Sequence, residues 1–223
     1  MAGTGMNAKD CPQWEYATNP QHQAILKRKV VDLLVQLRNG ELDSAESAAD
    51  SRAVHRYLFE ALTPPGYDYF AGHYRGEDFP CLKEYGIGVE GDKRVGCNAA
   101  IAPQKMEQIA QMVRAGLQLL DATFRLPKEQ FSPVEHLLNT VAFACRVFEQ
   151  VLRIHPYANG NGHAARFILW AILGRYGYWP KRFPIEPRPS EPDYIECLVK
   201  YRNGETQPLE EYILRCIIGI VSN

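Results

Sequence analysis

The chain has 223 residues with a formal net charge of −1 at pH 7, 46% hydrophobic residues and 23% charged ones. That length can bury a sizeable core and fits one domain, or one domain with an extension, and the balance is that of a soluble globular protein rather than a disordered or fibrous one. Near-zero charge gives no reason to expect a nucleic-acid surface or an anionic membrane. No apolar stretch reaches signal-peptide or membrane-spanning length, so a cytoplasmic protein is expected, with export into another cell left open.

The six cysteines, Cys11, Cys81, Cys97, Cys145, Cys197 and Cys216, show no C-x-x-C spacing. They therefore give no support to a zinc or thioredoxin-like site, and most are expected to be small core residues.

Asn19-Pro20 combines a good helix cap with a proline suited to the first turn. Ile25, Val30, Leu33, Leu34 and Leu37 then follow at helical spacing up to Gly40. A second helix is predicted from Ser44 to Leu62, where Thr63-Pro64-Pro65-Gly66 must break it. Between Tyr67 and Ala102 glycines are frequent and the helical period is lost. There Ile87-Gly88-Val89 and Arg94-Val95-Gly96-Cys97 flank Glu90-Gly91-Asp92-Lys93, which reads as a short hairpin, an irregular surface loop being the alternative.

Pro103 opens a further helix carrying Met106, Ile109, Met112, Val113 and Leu117. Ser132-Pro133-Val134-Glu135 is a capping box, and the dense apolar and small residues behind it predict a central buried helix ending near Ile154. Ala164–Tyr176 predicts another helix, stopped by Gly177 and Pro180. After a proline-rich connection, two short helices are expected over Asp193–Arg202 and Pro208–Val221. The fold class is therefore all-α, a helical bundle with a small β-hairpin. Residues 1–66 are taken as an N-terminal helical extension packed on the core and 67–223 as the main domain.

Between the two predicted core helices lies His155-Pro156-Tyr157-Ala158-Asn159-Gly160-Asn161-Gly162-His163-Ala164-Ala165-Arg166. Its glycines allow a tight turn and close backbone approach, and the free amides of a helix start make an anion site. Arg166 shares the first-turn face with Gly162 and His163 and leans back toward the helix start. His155 stands at the opposite lip, where a neutral imidazole can take a proton from a hydroxyl. Tyr157 reads as a packing anchor, and Asn161 either braces the turn or touches ligand. His22, His55, His73 and His136 lack metal-like spacing and read as structural or solvent-facing.

This loop resembles the signature of the Fic (filamentation induced by cAMP) family, H-P-F-x-[D/E]-G-N-G-R-x-x-R. The match covers His155, Pro156, the aromatic Tyr157, Gly160, Asn161, Gly162 and Arg166, and by analogy the similarity extends over roughly residues 70 to 200. The resemblance implies a Fic-type bundle and a protein adenylyltransferase that moves AMP from ATP, with Mg²⁺, to a Ser, Thr or Tyr hydroxyl of a target protein. His155 would be the general base, and Asn159, Gly160, Asn161, Gly162, His163 and Arg166 would form the nucleotide site. A flap corresponding to Ile87, Gly88, Val89, Val95, Gly96 and Cys97 would dock the target, with Gly72-His73-Tyr74-Arg75 preceding it as a glycine-and-arginine stretch does in relatives.

Two positions depart from the pattern. Asn159 replaces the acidic residue that helps hold Mg²⁺, leaving a poorer metal ligand that would act weakly or through water. His163 replaces an arginine and loses its permanent charge and forked donors, which implies weaker β-phosphate binding, another donor, or activity that grows on acidification. Another nucleotide donor, or a degenerate Fic fold kept as a binding module, are the competing readings. Self-inhibition by a [S/T]-x-x-x-E-[G/N] helix finds only Thr206–Glu210, followed by Glu211 instead of Gly or Asn. Control by a separate antitoxin-like protein, as for a toxin, is the remaining expectation.

Overall fold

The computed structural model describes residues 11–89, 92–189 and 192–219. Eight α-helices appear among them: α1 His22–Asn39, α2 Ser44–Ala49, α3 Arg52–Phe59, α4 Ala102–Phe124, α5 Pro133–Ile154, α6 Asn161–Gly174, α7 Pro192–Arg202 and α8 Gln207–Ile218. The start of α5 is the expected capping box. Ser132 Oγ accepts from the Glu135 amide (3.2 Å), and the Glu135 carboxylate accepts from the Ser132 amide (2.8 Å). Gly40 ends α1 in the left-handed conformation, with φ 73°.

Helices α5 and α6 form the centre. Both are apolar around most of their circumference, they pack on each other, and α4, α2 and α8 cover them. One continuous core runs from Trp14 to Cys216 on α8. No described helix is long and apolar enough to cross a membrane.

Three expectations are corrected. The single helix over Ser44–Leu62 is divided into α2, α3 and a 3-10 turn at Glu60–Leu62. Asp50 adopts extended backbone and its carboxylate accepts from the Arg52 amide (3.1 Å), a local bond that competes with continued helix. The hairpin over Ile87–Cys97 is not seen. Among the described residues there is no strand, only an isolated antiparallel bridge between Val89 and Asp92, and the expected turn at Glu90-Gly91 lies outside the described residues. The second arm is drawn elsewhere, because the Gly96 and Cys97 amides donate to the carbonyls of Arg153 (2.9 Å) and Ile154 (3.2 Å) at the end of α5.

The third correction concerns the cysteines. Cys145, Cys197 and Cys216 are buried thiols as expected, but Cys11 and Cys81 form a disulfide. It ties the segment before α1 to the irregular stretch that follows the proline break.

Candidate active site

The loop between α5 and α6 is held from several sides, and its conformation follows from those contacts. His155 is the C-cap of α5 and sits in the left-handed region, φ 49°. Buried Arg75 fixes it there. Its guanidinium donates to the carbonyls of His155 (2.8 Å), Ile154 (3.1 Å), Cys97 (3.0 Å) and Tyr85 (2.9 Å), and its amide donates to Pro156 (2.7 Å). One side chain thus joins the base of the 87–97 segment to the start of the loop.

Tyr157 is fully buried, as an anchor should be. Its hydroxyl shares a hydrogen bond with Ser51 (2.8 Å), and its ring stacks on His55 at 3.7 Å. His55 accepts the Gly72 amide on Nδ1 (3.0 Å), which leaves Nε2 to donate to the Asn159 carbonyl (2.9 Å). Burial pushes its pKa down to about 3, so it is a neutral structural brace. Asn161 braces the turn too. Its amide group closes on the Tyr157 backbone in both directions, accepting on Oδ1 (2.8 Å) and donating from Nδ2 (2.9 Å). Its main-chain N–H remains available to a ligand in the cleft.

Gly160, φ 74°, is the N-cap of α6, and an added Cβ would lie 2.4 Å from the Phe59 ring, so both conformation and space demand glycine. The Gly160 carbonyl accepts from the amides of His163 (3.0 Å) and Ala164 (3.1 Å). Asn161 and Gly162 are the first two residues of α6, where the amides have no intrahelical acceptor and face the positive end of the helix dipole.

A cleft of about 860 Å³ runs past these groups. Its lining includes His155, the 158–163 backbone, Arg166 and Glu186 at one end, and Ile87, Val89, Leu198 and Arg202 at the other. His155 Nδ1 bonds the Leu152 carbonyl, which places the proton on Nδ1 and leaves Nε2 as an acceptor. Burial, reinforced by Arg75 and Arg202, holds its pKa below the ordinary value, so the imidazole is neutral near pH 7. The expected flap residues Ile87, Gly88, Val89 and Val95 line the cleft, whereas Gly96 and Cys97 are bonded to α5.

At the other lip Arg166 is buried, its Nε donating to the Ile185 carbonyl (2.9 Å) and its guanidinium bonded to Tyr194. His163 makes a 2.6 Å contact from Nε2 to the Glu186 carboxylate. Burial keeps the imidazole below its ordinary pKa, while its hydrogen bond holds the Glu186 carboxyl below the usual carboxylate range. The pair is thus a neutral imidazole donating to a carboxylate.

A strap before α1 closes this side. The Trp14 carbonyl accepts from Asn159 Nδ2 (2.6 Å), the Glu15 carboxylate lies 3.4 Å from the same nitrogen, and Tyr16 packs edge-on against His163. Asn159 Oδ1 already accepts from the Gly160 amide (2.7 Å), and no group of three His, Cys, Asp or Glu among the described residues suits a metal. The donors present do not fit a protein-held Mg²⁺.

The sequence reading missed Tyr16 and Glu186, while His55 is structural as expected. Glu186 lies in a proline-rich connection without periodicity; its one signal is a carboxylate beside the apolar Phe183 and Ile185.

The Fic/DOC family profile matches residues 45–173, more than half of the chain. The chain belongs to the Fic/DOC family. Among similar proteins, the protein adenylyltransferase Fic of Nematostella vectensis is 32% identical over 80 residues, 36% of this chain and 18% of that protein. Those of Drosophila erecta (29% over 90 residues; 40% and 18%) and Culex quinquefasciatus (28% over 80 residues; 36% and 15%) are comparable. The stretch matched is under a fifth of each relative's length.

Proposed function

We propose that this Fic protein transfers a nucleoside monophosphate, AMP in the first instance, to a Ser, Thr or Tyr hydroxyl of a target protein. The observation that carries this reading is His155: a neutral imidazole with its proton pinned on Nδ1 and Nε2 left as acceptor, in the same cleft as the first amides of α6 and Arg166. The target hydroxyl attacks the α-phosphorus as Nε2 takes its proton. The Asn161 and Gly162 amides stabilise charge on the α-phosphate oxygens, and Arg166 attends the leaving end. Positioned base catalysis of this kind contributes roughly 10²–10⁴-fold.

The relatives' name makes ATP the first donor to test, with pyrophosphate leaving. Nothing in this scheme runs through a metal held by the protein. That residues before the family match, which begins at 45, form an N-terminal extension packed on the Fic domain is also a proposal, supported by the contact of Trp14 with the loop. Arg166 takes the Ile185 carbonyl, and Glu210 lies in the first turn of α8, which leaves an antitoxin-like regulator as part of this proposal rather than self-inhibition by α8.

The test is transfer of label from α-labelled ATP to proteins of a cell lysate by wild type and His155→Ala. Loss of labelling in the variant supports the mechanism, and undiminished labelling overturns it. Calorimetry showing no nucleotide binding would favour a binding module that has lost catalysis. A donor other than ATP is favoured by one observation, the carboxylate of Glu186 at the leaving end.

A further inference from the structure

Glu186 is held in the cleft by the main chain on its N-terminal side. The Ile185 carbonyl accepts from Arg166 Nε (2.9 Å), the Phe183 carbonyl accepts from Trp170 Nε1 (2.7 Å), and both side chains are 1% exposed. The connection therefore stays docked on α6, and the carboxylate remains beside buried His163 at 2.6 Å. Swinging it away would leave the imidazole N–H without its acceptor in an apolar wall made by Tyr16 and Phe59.

The charges at this end nearly cancel. Arg166 and the exposed Arg188 are cationic, Glu186 and the exposed Glu15 are anionic, and all four line the cleft. The family motif's arginine is a histidine whose Nε2 is already bonded to a carboxylate. A triphosphate brings its densest negative charge to this place, where a fixed carboxylate opposes it in a partly desolvated setting. A hydroxyl or a cation would instead find in Glu186 a ready acceptor.

We propose that Glu186 selects the donor at this end of the cleft, disfavouring a free terminal phosphate and favouring a nucleoside diphosphate whose second phosphate is esterified to an uncharged or cationic alcohol. This rests on the nucleotidyl-transfer reading and refines its substrate class. In the reaction the target oxygen forms a bond to the α-phosphorus, the bond from that phosphorus to the bridging oxygen breaks, and the leaving group departs as a phosphate monoester. The proton of the target hydroxyl goes to His155.

The test is calorimetry on the full chain with AMP, ADP, ATP and ADP-ribose, for wild type, Glu186→Gln and Glu186→Asp. For wild type, affinity should not rise from AMP to ATP, and ADP-ribose should bind more tightly than ATP. In Glu186→Gln, ATP should tighten by about tenfold relative to AMP, while Glu186→Asp, which keeps the charge, should retain the wild-type ranking. A wild type that binds ATP about tenfold more tightly than AMP and ADP-ribose, with the ranking unchanged in Glu186→Gln, overturns the proposal but leaves nucleotidyl transfer intact. If Glu186→Gln fails to melt cooperatively, the wild-type ranking alone decides. Failure of all four nucleotides to bind overturns the nucleotide reading and this proposal with it.

Discussion

His155, half-buried, and His163, buried, stand at the two lips of one loop, both with pKa values pressed below the ordinary range, yet they are prepared for different work. In His155 it is Nδ1 that is engaged, by a backbone carbonyl, and Nε2 is left to take a proton. In His163 it is Nε2 that is engaged, by a carboxylate, and the ring is walled in by Tyr16 and Phe59. Residue type does not distinguish a base from a spacer here. The ring nitrogen that is already bonded does.

The largest effect that tests this contrast is at His155. His155→Ala should lower the transfer rate by roughly 10²–10⁴-fold while nucleotide affinity, read by calorimetry, stays within a few-fold. An equal loss in His163→Ala would erase the distinction. Next comes the clamp on the base. Arg75→Met strands the carbonyls of His155, Tyr85 and Cys97 and leaves that of Ile154 only the Cys97 amide, and a destabilisation of about 3 kcal/mol is expected from urea unfolding, because each acceptor left without a donor is costly.

The strap against His163 is tied by the Cys11–Cys81 disulfide, whose removal in Cys11→Ser should cost up to about 4 kcal/mol from loop-closure entropy alone. Comparing melting temperatures with and without reductant checks it, and a cysteine-free strap with unchanged melting would show that Trp14 and Tyr16 hold it unaided.

His55 supplies a pH effect between the two lips. Its folded-state value of about 3 lies below its ordinary 6.5, so the unfolded chain binds the extra proton between those values. Its stability contribution is complete above 6.5 and is lost as pH falls through that window, by roughly 2–3 kcal/mol between pH 7 and 4.5. Urea midpoints at the two pH values should converge in His55→Gln. The smallest effect is His163→Arg, which adds a permanent cation opposite Glu186. ATP should bind a few-fold to about tenfold more tightly, and an unchanged affinity would mean that His163 plays no part in donor binding.

Much of this was legible in the sequence where the signal is local. The capping box at Ser132 and Glu135 fixed where α5 begins, and the glycines around Asn161 announced a turn against a helix start. What was hidden depends on contacts distant in sequence. Nothing near Asp50 says that Ser51 must meet Tyr157, and nothing near residues 94–97 says that Gly96 and Cys97 bond α5 rather than the opposite arm of a hairpin. Cysteine spacing could not pair Cys11 with Cys81, nor could the isolated Glu186 reveal its histidine. Asn161 was legible as a site residue, but its side chain is a brace, because a tight turn that exposes amides must itself be held.

Part of the cleft's wall lies outside the stretch that matches the family, which begins at residue 45 and ends at 173. Tyr16 comes from before it, and Glu186 and Tyr194 from after it. The loop is thus a portable part, while the surfaces that would judge its cargo are furnished by neighbouring segments. A fragment trimmed to the matched residues would keep the proton acceptor and the amides and lose Tyr16, Glu186 and Tyr194.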